Sequence, residues 1–400
     1  MRRFALVLCA VALTSCTDSG NTSPHTTSLN AAETRRRPTK PRIDTVTAAA
    51  LDSISIPDRL SSLIGARFGK VALPPDAFSK SSDAVHPDIA CLDKAWNGAR
   101  CWMMYTPYKN GDSGYENPSF LAAVGDTNWS TPTAITNPIV AWPGFGVYNS
   151  DPDHAFEPGS NRLMQVYRVV TDSFNKIMIM STTDARTWTP PRLAFKERNH
   201  DAISPSLVID RDHSADLWYI RSGANGCSAS SSTVMMRSAT PDSTQRTDQG
   251  DWSAPVTVKM SVPNSVIWHI DVERVSMAEG YVALIVAYQK GLTCGASDLW
   301  LGTSPDGVNW RTFETPLMWR GMTVARQRSI STWYRGTMRY DATTDSLHVW
   351  PSGLAGANWT IYHTAFKLHD ALGLLAAAQT SDLKLLASRQ AGIRATIPMP

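Results

Sequence analysis

An internal repeat restricts the fold of this chain more than any other feature of its sequence. One column of the repeat is tryptophan. Trp129, Trp188, Trp252 and Trp310 each open a short polar segment, and their spacings are 59, 64 and 58 residues. Asp184, Asp248 and Asp306 each lie four residues before their tryptophan. The clearest copy is Ser304-Pro305-Asp306-Gly307-Val308-Asn309-Trp310. A turn-forming Asp between two strands, followed by a Trp packed under the hairpin, is a structural device. A second column opens each repeat with a triplet: His86-Pro87-Asp88, Asp151-Pro152-Asp153, Ser204-Pro205-Ser206, His269-Ile270-Asp271 and Tyr334-Arg335-Gly336, spaced by 65, 53, 65 and 65 residues. A third column is an aromatic, β-rich run after each triplet, such as Trp102 to Tyr105, Met164 to Arg168 and Leu217 to Arg221. Triplet, aromatic strand and Asp-turn-Trp together describe a four-stranded antiparallel blade. Five such blades predict an all-β, five-bladed β-propeller over 85–367.

Composition agrees with that reading. The 400 residues suffice for two ordinary domains or one large all-β domain. A net charge of +3 leaves no basic excess for neutralising many phosphates, so a nucleic-acid partner is not expected. Only 18% of residues are charged, while there are 14 Trp, 25 Pro and 24 Gly, a balance that suits exported β structure. The fifth repeat lacks a Trp turn, and its outer strand is expected from the lead-in 51–84, around Gly69 to Leu73, which would close the ring without an exposed edge. The tail 368–400 is rich in Ala and Leu, with a helix predicted near 371–378.

The first sixteen residues read as an address. Met1-Arg2-Arg3 is a basic start, and Phe4 to Leu13 is an apolar run of signal-peptide length, too short to span a membrane. Leu13-Thr14-Ser15-Cys16 resembles the bacterial lipobox, which implies lipidation at Cys16, a membrane anchor and an exported lipoprotein, at the outer membrane in a Gram-negative cell. The alternative is an ordinary secretory signal. Residues 17–50, rich in Ser, Thr, Asn and Pro, read as a flexible tether. Cys91 and Cys101 flank an Asn97-Gly98 hairpin signal, and a disulfide is expected across it. Cys227 and Cys294 occupy similar loops of adjacent repeats and are expected to pair too, the alternative being four buried free thiols.

In a propeller the inner strands converge on one axis, so the triplets meet in the central channel. Alternate residues of an extended strand share a face. The reading therefore gathers His86, Asp88, Asp151, Asp153, Ser204, Ser206, His269 and Asp271 around one pit, with Arg335 nearby. Clustered carboxylates raise one another's pKa, giving the mix of acid and base that glycoside hydrolysis requires. Trp268, Trp102, Tyr105, Tyr108 and Trp333 would offer flat faces to sugar rings, and Tyr115-Glu116-Asn117-Pro118 follows a Gly-rich turn that would project it over the pit. No cofactor is expected and no zinc spacing is present; a channel Ca²⁺ on the aspartates is the one ion left open.

On these motifs the chain resembles the five-bladed propeller glycoside hydrolases of the family 43 and 32 type, and its Asp-turns resemble the Asp-boxes of sialidases, one residue shorter than usual. It looks closer still to bacterial and phage proteins carrying His-Pro-Asp, Trp-Met-x-Tyr-Thr-Pro-Tyr and Tyr-Glu-Asn-Pro-Ser, here His86 to Asp88, Trp102 to Tyr108 and Tyr115 to Ser119. The family 43 resemblance implies Asp88 as general base and Asp153 as orienting carboxylate. The third triplet carries no carboxylate, so Asp271, Glu116 or Glu273 must supply the acid, in preference Asp271 and then Glu116, or the acid is missing. Tyr105, Tyr115, Trp268, His86, His269, Asp151, Ser204 and Arg335 are the expected substrate contacts. The functional expectation is a cell-surface, monomeric glycoside hydrolase acting on a carbohydrate, inverting if its carboxyl groups stand about 6.5–9.5 Å apart. The alternative is a glycan-binding lipoprotein on the same scaffold.

Overall fold

The computed structural model describes residues 55–379, apart from short internal stretches at 124–126, 145, 199, 224, 242–247, 249, 277–279 and 323–329. The signal segment, Cys16 and the tether lie outside the described residues. Alternating strand patterns and turn residues build five antiparallel sheets, the blades of a five-bladed β-propeller. Blade one is Ala84–Trp96, Ala99–Pro107, Ser119–Ala123 and Trp129–Ser130. Blade two is Tyr148–Glu157, Arg162–Val170, Phe174–Thr182 and Arg192–Arg198. Blade three is Ile203–Ile209, Ala215–Arg221, Thr233–Thr240 and the short Asp251–Trp252 and Val256–Thr257. Blade four is Ser265–Ser276, Gly280–Gln289, Ser297–Ser304 and Arg311–Thr312.

Blade five takes three strands from the end of the chain, Thr332–Asp341, Ser346–Ala355 and Asn358–Lys367, and its fourth, Gly69–Lys70, from the beginning. The ring is thus closed by pairing the two ends of the fold. The helix Ile56–Gly65 buries Leu60 and Ile64 against this blade, in one apolar cluster with Leu368, Ala371 and Leu375 of the helix at 368–379.

Each inner strand carries a register shift at its triplet. Such a bulge kinks the strand and re-aims side chains. In the first three blades the opening residue is left-handed, with φ of 52° at His86, 48° at Asp151 and 54° at Ser204. That conformation costs a non-glycine residue about 1–2 kcal/mol, offset here by channel hydrogen bonds.

Those bonds form a ring. Asp88 accepts the backbone N–H of His154 at 2.7 Å, and Asp153 that of Leu207 at 2.8 Å. Ser206 accepts from Val272 at 2.8 Å, and Asp271 accepts from Met338 at 2.9 Å. Thr337 donates to Asp88 at 3.0 Å and returns the circuit to blade one. Each third-position side chain therefore bonds an inner strand of a neighbouring blade. This ring corrects the triplet of the fifth repeat by one residue: Arg335 and Thr337, not Tyr334 and Gly336, match positions one and three.

The tryptophan column seals the blades from outside. Trp188 of blade two meets Phe120 of blade one edge-on at 5.5 Å, and Trp252 of blade three meets Phe195 of blade two at 6.3 Å. At the best-formed turn, Asp306 Oδ1 accepts from Val308 and Asn309 N–H at 2.9 and 2.7 Å. Disulfides join Cys91 to Cys101 across the blade-one hairpin and Cys227 to Cys294 between blades three and four.

Candidate functional site

The triplets do not form a single pit. A residue and its neighbour two positions on share a strand face but sit at successive levels of the channel, so the polar openers separate into two tiers. The second tier is Asp88, Asp153 and Asp271, with an oxygen of each within 4.8 Å of the others. It borders a cavity of about 300 Å³ that runs along the later residues of the inner strands, past Glu273 and Tyr340. Burial and Asp88 together push the Asp153 and Asp271 carboxyls well above the carboxylate range, against the pull of Arg335. Burial would raise Asp88 too, but His154, in a short contact with it, lowers it. Arg335, fully buried, donates to Asp153 at 3.1 Å and to the Pro205 carbonyl at 2.8 Å. Every carboxylate of this tier is committed to a backbone amide, as the ring requires.

The first tier lies on the side where the inner strands begin. His86, Asp151 and His269, from blades one, two and four, each offer a donor atom within 4.8 Å of the others. His86 Nε2 stands 3.3 Å from Asp151 Oδ1. His86 Nδ1 lies 2.9 Å from Thr106 Oγ1 and 3.4 Å from Glu116 Oε2. Ser150 donates a short hydrogen bond to Glu116. Arg168 Nε sits 3.0 Å from Asp151 Oδ2, which also accepts the Ser204 N–H at 3.0 Å. The Ser204 hydroxyl bonds the backbone of Ile270, making it an inter-blade strut.

Burial alone would raise Asp151, but the Arg168 guanidinium above all holds it well below the carboxylate range, so it is ionised. Burial pushes His269 well below the usual imidazole range and keeps it neutral. Neither ring nitrogen of His269 has a hydrogen-bond partner among the described residues. A buried imidazole with open lone pairs is costly unless something binds there. Two imidazoles and one carboxylate form a donor set suited to a divalent transition ion; Ca²⁺ prefers an all-oxygen shell.

Phenols surround this tier. Tyr334 lies over both histidines, at ring distances of 5.3 Å from His86 and 4.5 Å from His269, and Trp268 Nε1 donates to its hydroxyl at 3.1 Å. Tyr108 and Tyr148 feel the charge of Glu116, and burial, the larger cause, pushes both phenols up, so they remain protonated. Three expected sugar platforms lie elsewhere. Trp102 stacks on Phe120 at 5.0 Å inside blade one, Tyr105 is in the apolar cluster between Met103 and Leu121, and Trp333 is buried against Phe68 and Tyr362. They alternate out of the channel because they belong to the packed faces of the blades. Glu116 does reach the first tier, from the loop after Ala99–Pro107, while Tyr115 lines a cavity beside Phe78.

Sequence reasoning missed Arg168, Ser150, Thr106, His154 and Thr337. Arg168 had a visible signal, a cation set between Val166-Tyr167 and Val169-Val170 in a β-rich strand. Thr337 was hidden by the one-residue offset of the fifth triplet.

No family model matches this chain. It is similar to the A type blood N-acetyl-α-D-galactosamine deacetylase of Flavonifractor plautii, 27% identical over 289 residues, a match covering 61% of this chain and 36% of that protein. The chain thus spans about a third of the length of that curated relative. Among solved structures it resembles an N-acetylgalactosamine deacetylase from F. plautii in complex with blood group B trisaccharide, with a TM-score of 0.67, 23% identity, and coverage of 78% of this chain and 98% of that one. A GH62 hydrolase in complex with xylotriose aligns with a TM-score of 0.53 at 13% identity, covering 75% of this chain and 97% of that one. These likenesses establish the five-bladed propeller fold.

Proposed function

We propose that this chain is a glycan-acting hydrolase that removes the acetyl group from an N-acetylated sugar at the first tier. One observation carries the reading: a neutral His269 with both nitrogens unbonded shares a tier with His86, ionised Asp151 and Glu116. The sequence likeness to an N-acetylgalactosamine deacetylase supports it. The second tier is poorly arranged for glycosidic cleavage. Each of its three carboxylates accepts a backbone N–H from a neighbouring blade and so serves the inter-blade ring.

The chemistry is amide hydrolysis. Water oxygen bonds to the acetamide carbonyl carbon, the C–N bond breaks, and acetate and a free amine leave. Glu116, oriented by Ser150 and His86, takes the water proton and returns it to the departing nitrogen. Tyr108 and Tyr148, kept protonated, supply O–H donors at the channel mouth for the carbonyl oxygen. Arg168 keeps Asp151 charged beside the histidines. A divalent cation held by His86, Asp151 and His269 would supply polarisation of the carbonyl. Display at the cell envelope through Cys16 is part of the same proposal, supported by the signal-like residues 1–16.

The test is acetate release by the full chain from N-acetylgalactosamine and from blood group A trisaccharide. Glu116→Gln is expected to lower kcat by about 10²–10⁴-fold, and chelation to abolish turnover until a divalent ion is restored. Release of reducing sugar without acetate would move the reading to glycoside hydrolysis, the second reading favoured by the GH62 likeness. Binding without any release would leave a glycan receptor.

A further inference from the structure

Beside the first tier is a second cavity, of whose lining the chemistry above uses Tyr148 alone. It measures about 570 Å³, within the roughly 300–1,000 Å³ of small-molecule sites. Phe78, Tyr115 and Trp142 form its aromatic wall, with Phe78 5.9 Å from Tyr115 and 6.1 Å from Trp142. Gly144 and Gly146 carry no side chain to fill it, and a Cβ at either would meet nothing within 4 Å. Phe78 is 41% exposed and Trp142 38%. Three large rings from three separate segments are held at the mouth of a channel, two of them wet, although burying such rings is strongly favourable. A surface cluster of this kind marks a binding site.

The occupant follows from position and chemistry. Tyr115 immediately precedes Glu116, and Tyr148 both lines the cavity and feels the charges of Arg168, Glu116 and Asp151. Tyr148 therefore links the wall of the cavity to the first tier, and a ligand filling the cavity would lie beside the group reacting there. Aromatic faces beside the hydroxyl of Ser113 and the carboxylate of Asp112 match a pyranose, which presents C–H faces and a rim of hydroxyls. A purely apolar ligand would leave that polar side unmatched.

We propose that this cavity is a subsite for the sugar next to the reacting one, so that the enzyme prefers an oligosaccharide to a monosaccharide. The proposal rests on the glycan-hydrolase reading and names its substrate as a chain of at least two sugars. Phe78 and Trp142 act in recognition alone, since nothing places them near the tier's donor atoms.

The experiment compares the full chain with the Phe78→Ala/Trp142→Ala variant. Binding is read by saturation-transfer NMR with blood group A trisaccharide and with N-acetylgalactosamine, and turnover by acetate release from both. The parent is expected to bind the trisaccharide with saturation reaching the non-reacting sugars. The variant is expected to lose at least tenfold in trisaccharide affinity and in the trisaccharide-to-monosaccharide ratio of kcat/KM. An unchanged ratio and unchanged binding would overturn the subsite, as would an equal loss on both sugars, which signals general damage. Absence of acetate release from any substrate, with trisaccharide binding lost in the variant, would overturn the deacetylase reading and leave the subsite standing.

Discussion

Glu273 shows how strongly the channel acts on single residues. Burial, with a smaller push from Asp88, raises its carboxyl from 4.5 to about 7, while the Tyr340 N–H and Arg339 pull the other way. Between those two values the folded protein holds a proton that the unfolded chain has released. The contribution of Glu273 to stability is then greatest below pH 4.5 and is lost as pH rises to 7. At about 1.4 kcal/mol per unit the loss is at most about 3 kcal/mol. Glu273→Gln, which still accepts from the Tyr340 N–H, should melt close to the parent at pH 4.5 and above it at pH 8. Thermal melts across that range check this; Asp153 is common to both proteins, while Asp271, which the charge of Glu273 helps to raise, is eased by the same substitution. An equal offset at both pH values would mean that Glu273 does not titrate there. A companion prediction separates the tiers: Asp88→Asn should cost about 1–3 kcal/mol of stability through the ring, and Glu116→Gln should cost turnover with little change in melting. At this scale the sequence was half legible. Residue types and spacing put His86, Asp151, His269 and Asp271 in the channel. Which of them keeps a free lone pair depends on neighbours such as Ser204 and Arg168, and those contacts are made across blades.

At the scale of one element, the Asp-turn of blade four does more than reverse the chain. The Gly307 carbonyl accepts from Trp310 Nε1 at 2.7 Å and from Trp218 Nε1, of blade three, at 2.8 Å. One turn thereby joins two blades. Gly307 has φ of 74°, and a Cβ there would lie 2.7 Å from Trp218 Cζ2. Gly307→Ala combines left-handed strain with displacement of a buried indole, at about 2–5 kcal/mol. Gly98→Ala, at φ of 89° with open space around its Cβ, carries the strain alone, about 1–2 kcal/mol. Denaturant unfolding of both variants should rank them in that order; equal losses would show that the indole contact contributes nothing. The turn itself was plain in Ser304 to Trp310, since Asp, Gly and Trp each have a local reason for their place. Its inter-blade partner Trp218 was not, because no local pattern states which ring faces which carbonyl. The same gap misplaced Tyr105. A strand's periodicity separates its two faces without saying which one meets the channel.

On the scale of the whole molecule, five blades were readable because a repeat multiplies a weak signal, and the missing fifth Trp pointed to closure by an earlier segment. Closure has a measurable consequence. Gly69–Lys70 pairs with Asn358–Lys367, and Ala72 bridges in parallel to Asn128 of blade one. Leu60, Ile64 and Phe68 bury their side chains in the cluster that includes Trp333 and Tyr362. Removing everything before Leu73 would uncover the outer edge of Asn358–Lys367 and empty the buried position of Val71 as well as those three apolar ones. At roughly 1.5–3 kcal/mol each, the side chains of Leu60, Ile64 and Phe68 alone represent about 5–9 kcal/mol, comparable to the whole stability of a typical domain, about 5–15 kcal/mol. The bared strand is also a template for pairing with another copy. The truncated chain is therefore expected to melt more than about 10 °C lower and to associate, as seen by calorimetry and light scattering. A monomer with the parent's melting temperature would show that the ring of Asp88, Asp153, Ser206, Asp271 and Thr337 holds the blades without the closing strand. In that case the inner hydrogen bonds, and not the outer seam, would be what keeps the first tier assembled.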